Sequence, residues 1–584
     1  FLAGKKAYEV ERSLRFNDND NAHLSRTPSG AGNRKVWTWS GWVKRGNIGL
    51  SQNATMLHAY DGSSSNRGSI QFNTSDQLKV DQGGGSGSSK GQAVTTAKFR
   101  DISAWYHIVV RANYSDSTAS DRVKVYVNGT EQTLTFNVAY TDENGQINGA
   151  FEHEIGAVES TNSLFDGYMA EINFIDGQTY DPSYFGATDP TTGQWNPKKY
   201  TGSYGTNGFY LNFSTDTFGA DGSGNGNNFT PQNFALTDAM PDTPTNNFST
   251  FSPLFAYTNG VAFSEGNLKA TFGGSGNGFA PSTFALQSGK WYAECLPEYI
   301  GNGNGVGIAG RNVNVNDWST GTDVIAVDSG GHVVTNSSNS YPSAPSTSYT
   351  TTDIIGIALD ITAGTVTFYK NNSQIYQTNL SNMSTGGNSD SIYFFAFADG
   401  SSATSGRGIF NFGQDSSFAG NKTAQGNTDA NGKGDFYYAP PSGHLAACSA
   451  NLPDPTIKLP DKHFETLLYT GNGSNGHAIT GLEFQPDWLW LKKRNSTGHH
   501  GIYDAIRSVN KRLLADETGA EANVELASFD SGGFTFGSNT YYNNNTDTYV
   551  AWSWNGGDTD GKTYAVTVVS DSGNKYRFDG FGTS

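Results

Sequence analysis

Val123-Lys124-Val125-Tyr126-Val127-Asn128-Gly129 returns later in the chain as Thr365-Val366-Thr367-Phe368-Tyr369-Lys370-Asn371-Asn372. In both phrases β-branched and aromatic residues alternate and then run into a tight Asn-containing turn, the pattern of a hairpin strand. A Trp-Tyr strand precedes each at a distance: Trp105-Tyr106-His107-Ile108-Val109-Val110 in the first case, Trp291-Tyr292-Ala293-Glu294-Cys295 in the second. Two stretches of one chain therefore read as β-sandwiches. Tandem sandwiches present loops, and loops carry binding.

The 584 residues exceed one ordinary core, so three or four domains are expected. Seventy-two glycines and 13% aromatic residues mean short strands and frequent turns, an all-β composition. A net charge of -17 argues against a nucleic-acid partner. The short basic run Lys492-Lys493-Arg494 reads as a solvated strand end. No stretch has the ~20 apolar residues of a membrane-spanning helix, so no membrane insertion is expected. The chain begins at Phe1 rather than Met, and the lack of a visible signal peptide therefore carries no information. Cys295 and Cys448 lie far apart and read as two buried thiols rather than a disulfide.

Residues 1–235 read as a first sandwich. Trp37 and Trp39 share one strand face, and Gly41 is expected to make a local bulge that re-aims Trp42. Residues 236–255, with Pro241, Pro244 and Pro253, form a connector. A second sandwich spans 256–418, and 419–458 is a Gly/Asn/Pro-rich bridge. The third module, 459–557, carries the one short helix expected, because Ile502, Ala505, Ile506, Val509 and Leu513 fall at helical spacing. Residues 558–584 supply a strand of a further module or an inter-subunit contact. The fold class is thus all-β, tandem antiparallel β-sandwich (jelly-roll) domains with one short C-terminal helix.

The set Trp39-Ser40-Gly41-Trp42-Val43-Lys44-Arg45, Trp105 to Val110, Val125-Tyr126-Val127-Asn128-Gly129 and Phe165-Asp166-Gly167-Tyr168 resembles the laminin-G/concanavalin A-like jelly roll. Ser288-Gly289-Lys290-Trp291-Tyr292-Ala293-Glu294, Gly305 to Ala309, Asp353 to Asp360 and Thr367 to Asn372 resemble a SPRY β-sandwich, with Tyr393 to Phe397 as a late core strand. The connectors Asp221 to Asn227, Asp242 to Phe248 and Pro440 to Leu445, with Ser13 to Asn17 and Gln485 to Trp488, resemble segments recurring in virion proteins of marine bacteriophages. That resemblance implies a tail fibre or adhesin on the particle surface, binding host surface glycans, contacting other virion proteins and forming a homo-oligomer, with a trimer favoured. A capsid decoration and a polysaccharide depolymerase are the alternatives.

Chemistry is sparse. Gly305-Val306-Gly307-Ile308-Ala309-Gly310 fits a dinucleotide fingerprint in letters, but no helix follows to hold a pyrophosphate, and it reads as a strand. Asp221-Gly222-Ser223-Gly224-Asn225-Gly226 spaces oxygen donors as a calcium loop would, but Gln232 stands where an EF-hand needs Glu. A turn is the simpler reading, with Asp221 and Asn225 as calcium candidates and no other cofactor. Asp429-Ala430-Asn431-Gly432-Lys433 fails because Lys433 takes a ligand position.

Concanavalin-like folds include glucanases, so paired acids matter. Glu152 and Glu154 share a strand face about 6.6 Å apart, but no third acid follows and a solvated face is expected. His499-His500 has no Cys or acidic ligand close in sequence. No catalytic residue is assigned. The expected ligand-binding residues are Asn316, Asp317, Trp318, Tyr341 and Tyr349, polar and aromatic groups on predicted loops. The remaining tryptophans, all in strands, are expected in cores.

Overall fold

Alternation and tight turns produce antiparallel sheets throughout, and the opening phrases show how. Strand Val123–Val127 turns at Asn128 (φ 48°) and Gly129 (φ 81°) into Thr130–Glu131, with Val127 opposite Thr130. Strand Thr365–Lys370 turns at Asn371 (φ 48°) and Asn372 (φ 66°) into Ser373–Asn379, with Lys370 opposite Ser373. Two consecutive positive-φ residues define the type I′ turn, whose twist matches paired strands and which Asn and Gly tolerate. The first Asn does a second job in both. Asn128 donates its N–H to His107 O and accepts the His107 N–H on Oδ1 at 2.8 Å, while Asn371 donates its N–H to Ile354 O and accepts the Ile354 N–H on Oδ1 at 2.9 Å. The Trp-Tyr strands differ in placement. Tyr106–Asn113 pairs directly with Val123–Val127, whereas Lys290–Tyr299 is separated from Thr365–Lys370 by Ile355–Asp360.

The computed structural model describes residues 8–556 and the strands 568–571 and 575–578, apart from 50, 63–65, 84–89, 191, 215, 257–260, 274–277, 301–303, 312, 314–322, 336–346, 384–390, 400–405, 454–456, 458, 524–525 and 538–540. The chain divides into two compact units, 1–189 with 194–453, and 190–193 with 454–584.

The first unit holds two sandwiches. In the first, one sheet runs Thr130–Glu131, Val123–Val127, Tyr106–Asn113, Val36–Arg45, Gly167–Asp176, Ser13–Phe16, Ala239–Met240; the facing sheet runs from Leu134–Val138 through Ala54–Tyr60 to Thr230–Gln232. Leu14, Trp37, Trp39, Ile70, Ile108 and Ile172 fill the space between them. In the second, a sheet centred on Lys290–Tyr299 and Arg407–Asn411 faces one centred on Asn304–Gly310 and Tyr393–Asp399, around Leu268, Cys295, Ile308, Phe395 and Phe410. Cys295 and Cys448 are buried and free. The Gly305 stretch lies in the strand Asn304–Gly310.

The segment 236–255 is buried against both sandwiches, through Lys44 of the first and through Phe248 and Phe251 in the second. Lys44 Nζ meets Asp242 Oδ2 at 2.6 Å with both side chains fully buried, and also donates to Asn247 Oδ1 and Phe248 O. Phe248 and Phe251 have no exposure at all.

The second unit contains a six-stranded sheet, Phe464–Thr470, Thr548–Trp554, Trp488–Lys493, Gly501–Asp504, Lys511–Leu514, Ala522–Asn523, and a three-stranded sheet, Ala478–Thr480, Gly533–Phe536, Leu526–Asp530. The expected helix is a correction. Gly501–Asp504 and Lys511–Leu514 are paired strands with Ile502 opposite Leu513, and Ile506 is 94% exposed in the turn between them. Among the described residues every helix is a three-residue 3-10 turn. The tail forms the hairpin Val568–Asp571 with Lys575–Phe578; residues 564–567 of the expected tail strand lie outside the described residues.

Candidate ligand-binding face

In the second unit, Trp488-Leu489-Trp490-Leu491 places apolar side chains on both faces of one strand. Leu489, Leu491, Tyr549 and Ala551 point inward and are fully buried against Phe534 and Phe536 of the smaller sheet. Alternation then sends Trp488, Trp490, Trp552 and Trp554 outward. Register aligns them in rows: Phe464, Trp554 and Trp488 stand abreast, as do Thr466, Trp552, Trp490 and Ile502.

The rings touch edge to face, with centroids 4.2 Å apart for Trp488–Trp554, 5.7 Å for Trp490–Trp552 and 6.2 Å for Trp488–Trp490, and Phe464 lies 4.8 Å from Trp554. These are favourable geometries for aromatic pairs. The four tryptophans are half-buried, Phe464 is 41% exposed and Leu468 61% exposed. Polar groups border the patch: Trp490 Nε1 donates to His500 Nδ1 at 3.2 Å, and Asp504 accepts the Arg507 guanidinium at 2.6 Å. A surface of this kind has the shape and chemistry to stack on a planar or ring-shaped ligand, with polar groups at its margin.

The expectation that strand tryptophans are core holds for Trp37, Trp39, Trp42, Trp105 and Trp291, all buried, and fails for these four and for half-buried Trp195 in strand Trp195–Pro197. The signal was present. A Trp pair interleaved with Leu leaves one apolar face too many for a single core.

Of the expected binding residues, Asn316, Asp317, Trp318 and Tyr341 lie outside the described residues. Tyr349 is a correction: it is 3% exposed in the core of the second sandwich, with its hydroxyl donating to Asn304 O and Val327 O, so its ring has no face for a ligand.

The Asp221 loop is organised by donors to its acid. Asp221 Oδ1 accepts the Tyr210 and Ser223 N–H groups at 2.9 and 2.8 Å, and Oδ2 accepts Ser223 Oγ and the Asn227 N–H. Asn225 turns its Nδ2 toward Gly205 O and Gly208 O. These N–H and O–H groups occupy the Asp221 carboxylate and hold the loop as a turn. Among the described residues no three His, Cys, Asp or Glu side chains come together at metal-binding distance.

Glu154 also differs from expectation, being fully buried rather than solvated. It accepts His58 Nδ1 at 3.2 Å, the N–H groups of Glu159 and Ser160 at 2.6 and 2.8 Å, and Ser160 Oγ. Burial pushes its carboxyl up, but these donors outweigh burial and hold it below the usual range. A carboxylate so committed fixes the positive-φ turn at Glu159 and Ser160 and is not a general acid for Glu152 to partner. His499 does find acids in space: Asp516 on Nδ1 and Glu517 on Nε2, each at 3.2 Å.

The expected bulge at Gly41 lies across the ladder instead. Val36–Arg45 runs in unbroken register with Tyr106–Asn113, and ordinary alternation places Trp42 opposite Trp39. The irregularity is in Gly167–Asp176, where Glu171 takes φ 53°. That conformation swings Glu171 between Tyr8 and Tyr210, both of which donate to it at 2.8 Å, at the base of a cleft of about 240 Å³ bordered by Glu9, Glu11 and Lys199.

Three regions match family models. Residues 17–179 match the concanavalin A-like lectin/glucanases superfamily, 291–406 the SPRY domain, and 459–579 a domain of unknown function, DUF7483. The chain therefore carries a concanavalin A-like module followed by a SPRY module. The aromatic face lies within the third of these regions. No curated protein sequence matches the chain. Among solved structures, the human HERC1 SPRY domain is 18% identical over 27% of this chain and 96% of its own, with a TM-score of 0.24. A Bacteroides ovatus protein described as carbohydrate-binding is 16% identical over 40% of this chain and 63% of its own (TM-score 0.26). The heptameric SAP-like pentraxin of Limulus polyphemus is 15% identical over 30% and 80% (TM-score 0.23). None of these likenesses bears on what the chain binds.

Proposed function

We propose that the protein is a non-catalytic virion protein of a bacteriophage, a tail fibre or adhesin that holds host cell-surface glycans. The outward face of Phe464, Trp488, Trp490, Trp552 and Trp554 carries the reading, because sugar rings stack their C–H faces on tryptophan and hydrogen-bond at the margin. The lectin-like module and the connectors that resemble phage virion segments support it. A single such patch binds weakly, with Kd on the order of millimolar, and a homotrimer gains avidity by engaging several glycans at once. Placing the chain in images of the assembled particle tests the virion role. A fibre projects from the tail; density tiling the head would make the protein a decoration, and no density would remove the virion reading.

A further inference from the structure

Asp166, at the turn before strand Gly167–Asp176, is 3% exposed, and its carboxylate oxygens form no well-aligned hydrogen bond, with only a loose approach of the Gly266 N–H. Asn267, from the second sandwich, is 1% exposed and donates Nδ2 to Gly46 O at 2.7 Å, which leaves its Oδ1 buried and unpartnered. Both side chains lie against Gly46: a Cβ there would stand 1.9 Å from Asp166 Oδ2, and the Gly46 N–H donates to Asp166 O at 3.0 Å. Three oxygen atoms that need a positive partner are thus buried beside one glycine where the two sandwiches meet.

The surroundings deepen the need. Asp18 and Glu265 add negative charge near Asp166. Arg15 opposes them, but its guanidinium is spread over Asp238 at 2.9 Å, Asp415 at 3.1 Å and Glu265 at 3.4 Å. Glu265, Gly266 and Asn267 all take positive φ, at 56°, 60° and 66°. Leaving buried oxygens unpaired costs about 1–3 kcal/mol each, and more for a charged one. Native interiors satisfy such groups with protein, water or an ion.

We propose that this junction binds a divalent cation of the calcium class, held by Asp166 and the Asn267 amide oxygen, with water supplying the further ligands and Glu265 and Asp18 adding negative charge nearby. Every donor is oxygen, as hard cations require, and no three carboxylates converge, so amide and water oxygens complete the shell. Ligands from both sandwiches make the cation a clamp on their relative position. The site is separate from the Asp221 loop.

The test uses the full chain stripped with EGTA and then titrated with calcium or terbium. Tyr168 donates its hydroxyl to Gly266 O at 2.8 Å, so its ring is placed to sensitise terbium emission. We expect sensitised emission saturating at one ion per chain and a calcium-dependent rise of several degrees in Tm. Asp166→Asn should lose both responses, and Asp221→Asn should keep both. Absence of any ion response in the wild type would mean that a proton or water satisfies Asp166, and would overturn the proposal. So would a response that survives Asp166→Asn or disappears in Asp221→Asn.

Discussion

Trp488 and Trp554 meet edge to face across neighbouring strands, ring centroids 4.2 Å apart, on the side of the sheet that faces away from its core. Four tryptophans arranged this way are an unusual outlay for a surface, since large aromatic side chains bury 150–250 Å² each when they have a core to enter. The arrangement has a purpose if something ring-shaped lies across it.

The type I′ turn at Asn371 and Asn372 depends on Asn371 for its backbone conformation and for the 2.9 Å acceptor to the Ile354 N–H. Asn371→Ala should cost about 1–3 kcal/mol, the sum of αL strain and a lost acceptor. Asn371→Gly should cost less, because it restores the conformation but not the bond. Urea unfolding of the three proteins checks the order; equal midpoints would refute the role given to the side chain.

Lys44 and Asp242 form a fully buried pair that ties segment 236–255 to strand Val36–Arg45. Removing one partner leaves the other charge buried and alone, so Lys44→Met or Asp242→Asn should cost about 3–5 kcal/mol. The double variant should recover a large part of that loss, because no uncompensated charge remains. Additive losses in a double-mutant cycle would contradict the pairing.

Acid should weaken the first sandwich through its histidines. Burial pulls His107 down to about 3 and His153 down to about 4, against about 6.5 when unfolded. The folded state excludes protons that the unfolded chain takes up, so this stability is present in full above pH ~6.5 and falls as pH drops toward 4. The slope is at most about 1.4 kcal/mol per pH unit per histidine. His107 accepts the Trp195 indole N–H on Nδ1 at 2.9 Å, which leaves Nε2 to donate to Ser40. His107→Gln removes the titration, and its stability should fall less steeply between pH 6 and 4.5 than that of the wild type. Parallel slopes would contradict the account.

The sandwiches were legible because alternation and Asn turns are local: Val123 to Gly129 and Thr365 to Asn372 state their own geometry. The helix expected at Ile502 to Leu513 failed because a hairpin can mimic helical spacing. Ile502 and Leu513 are cross-strand neighbours, and Asp504 accepts the Arg507 N–H at 2.8 Å to start the turn. Fully buried Tyr503, between half-buried Ile502 and Asp504, carries the period of two that a strand requires. Glu154, Asp166 and the Asp221 carboxylate were opaque for another reason: whether a carboxylate is solvated, committed or unpaired depends on donors from distant segments. The tryptophan face was half legible, since its pairs were visible but not which side of the sheet the core would occupy.

Glycan binding by the outer tryptophans is the proposed activity on which the rest depends. The most direct measurement is binding of the purified chain to polysaccharide from susceptible cells, followed by tryptophan fluorescence and by retention on glycan-coated beads, for the wild type and for Trp488→Ala with Trp554→Ala. Leu489 and Leu491 keep the core intact in these variants, and an unchanged far-UV spectrum verifies folding. The account predicts a fluorescence change and retention for the wild type and at least a tenfold loss of affinity in the variants. Folded variants that bind as tightly as the wild type would contradict it.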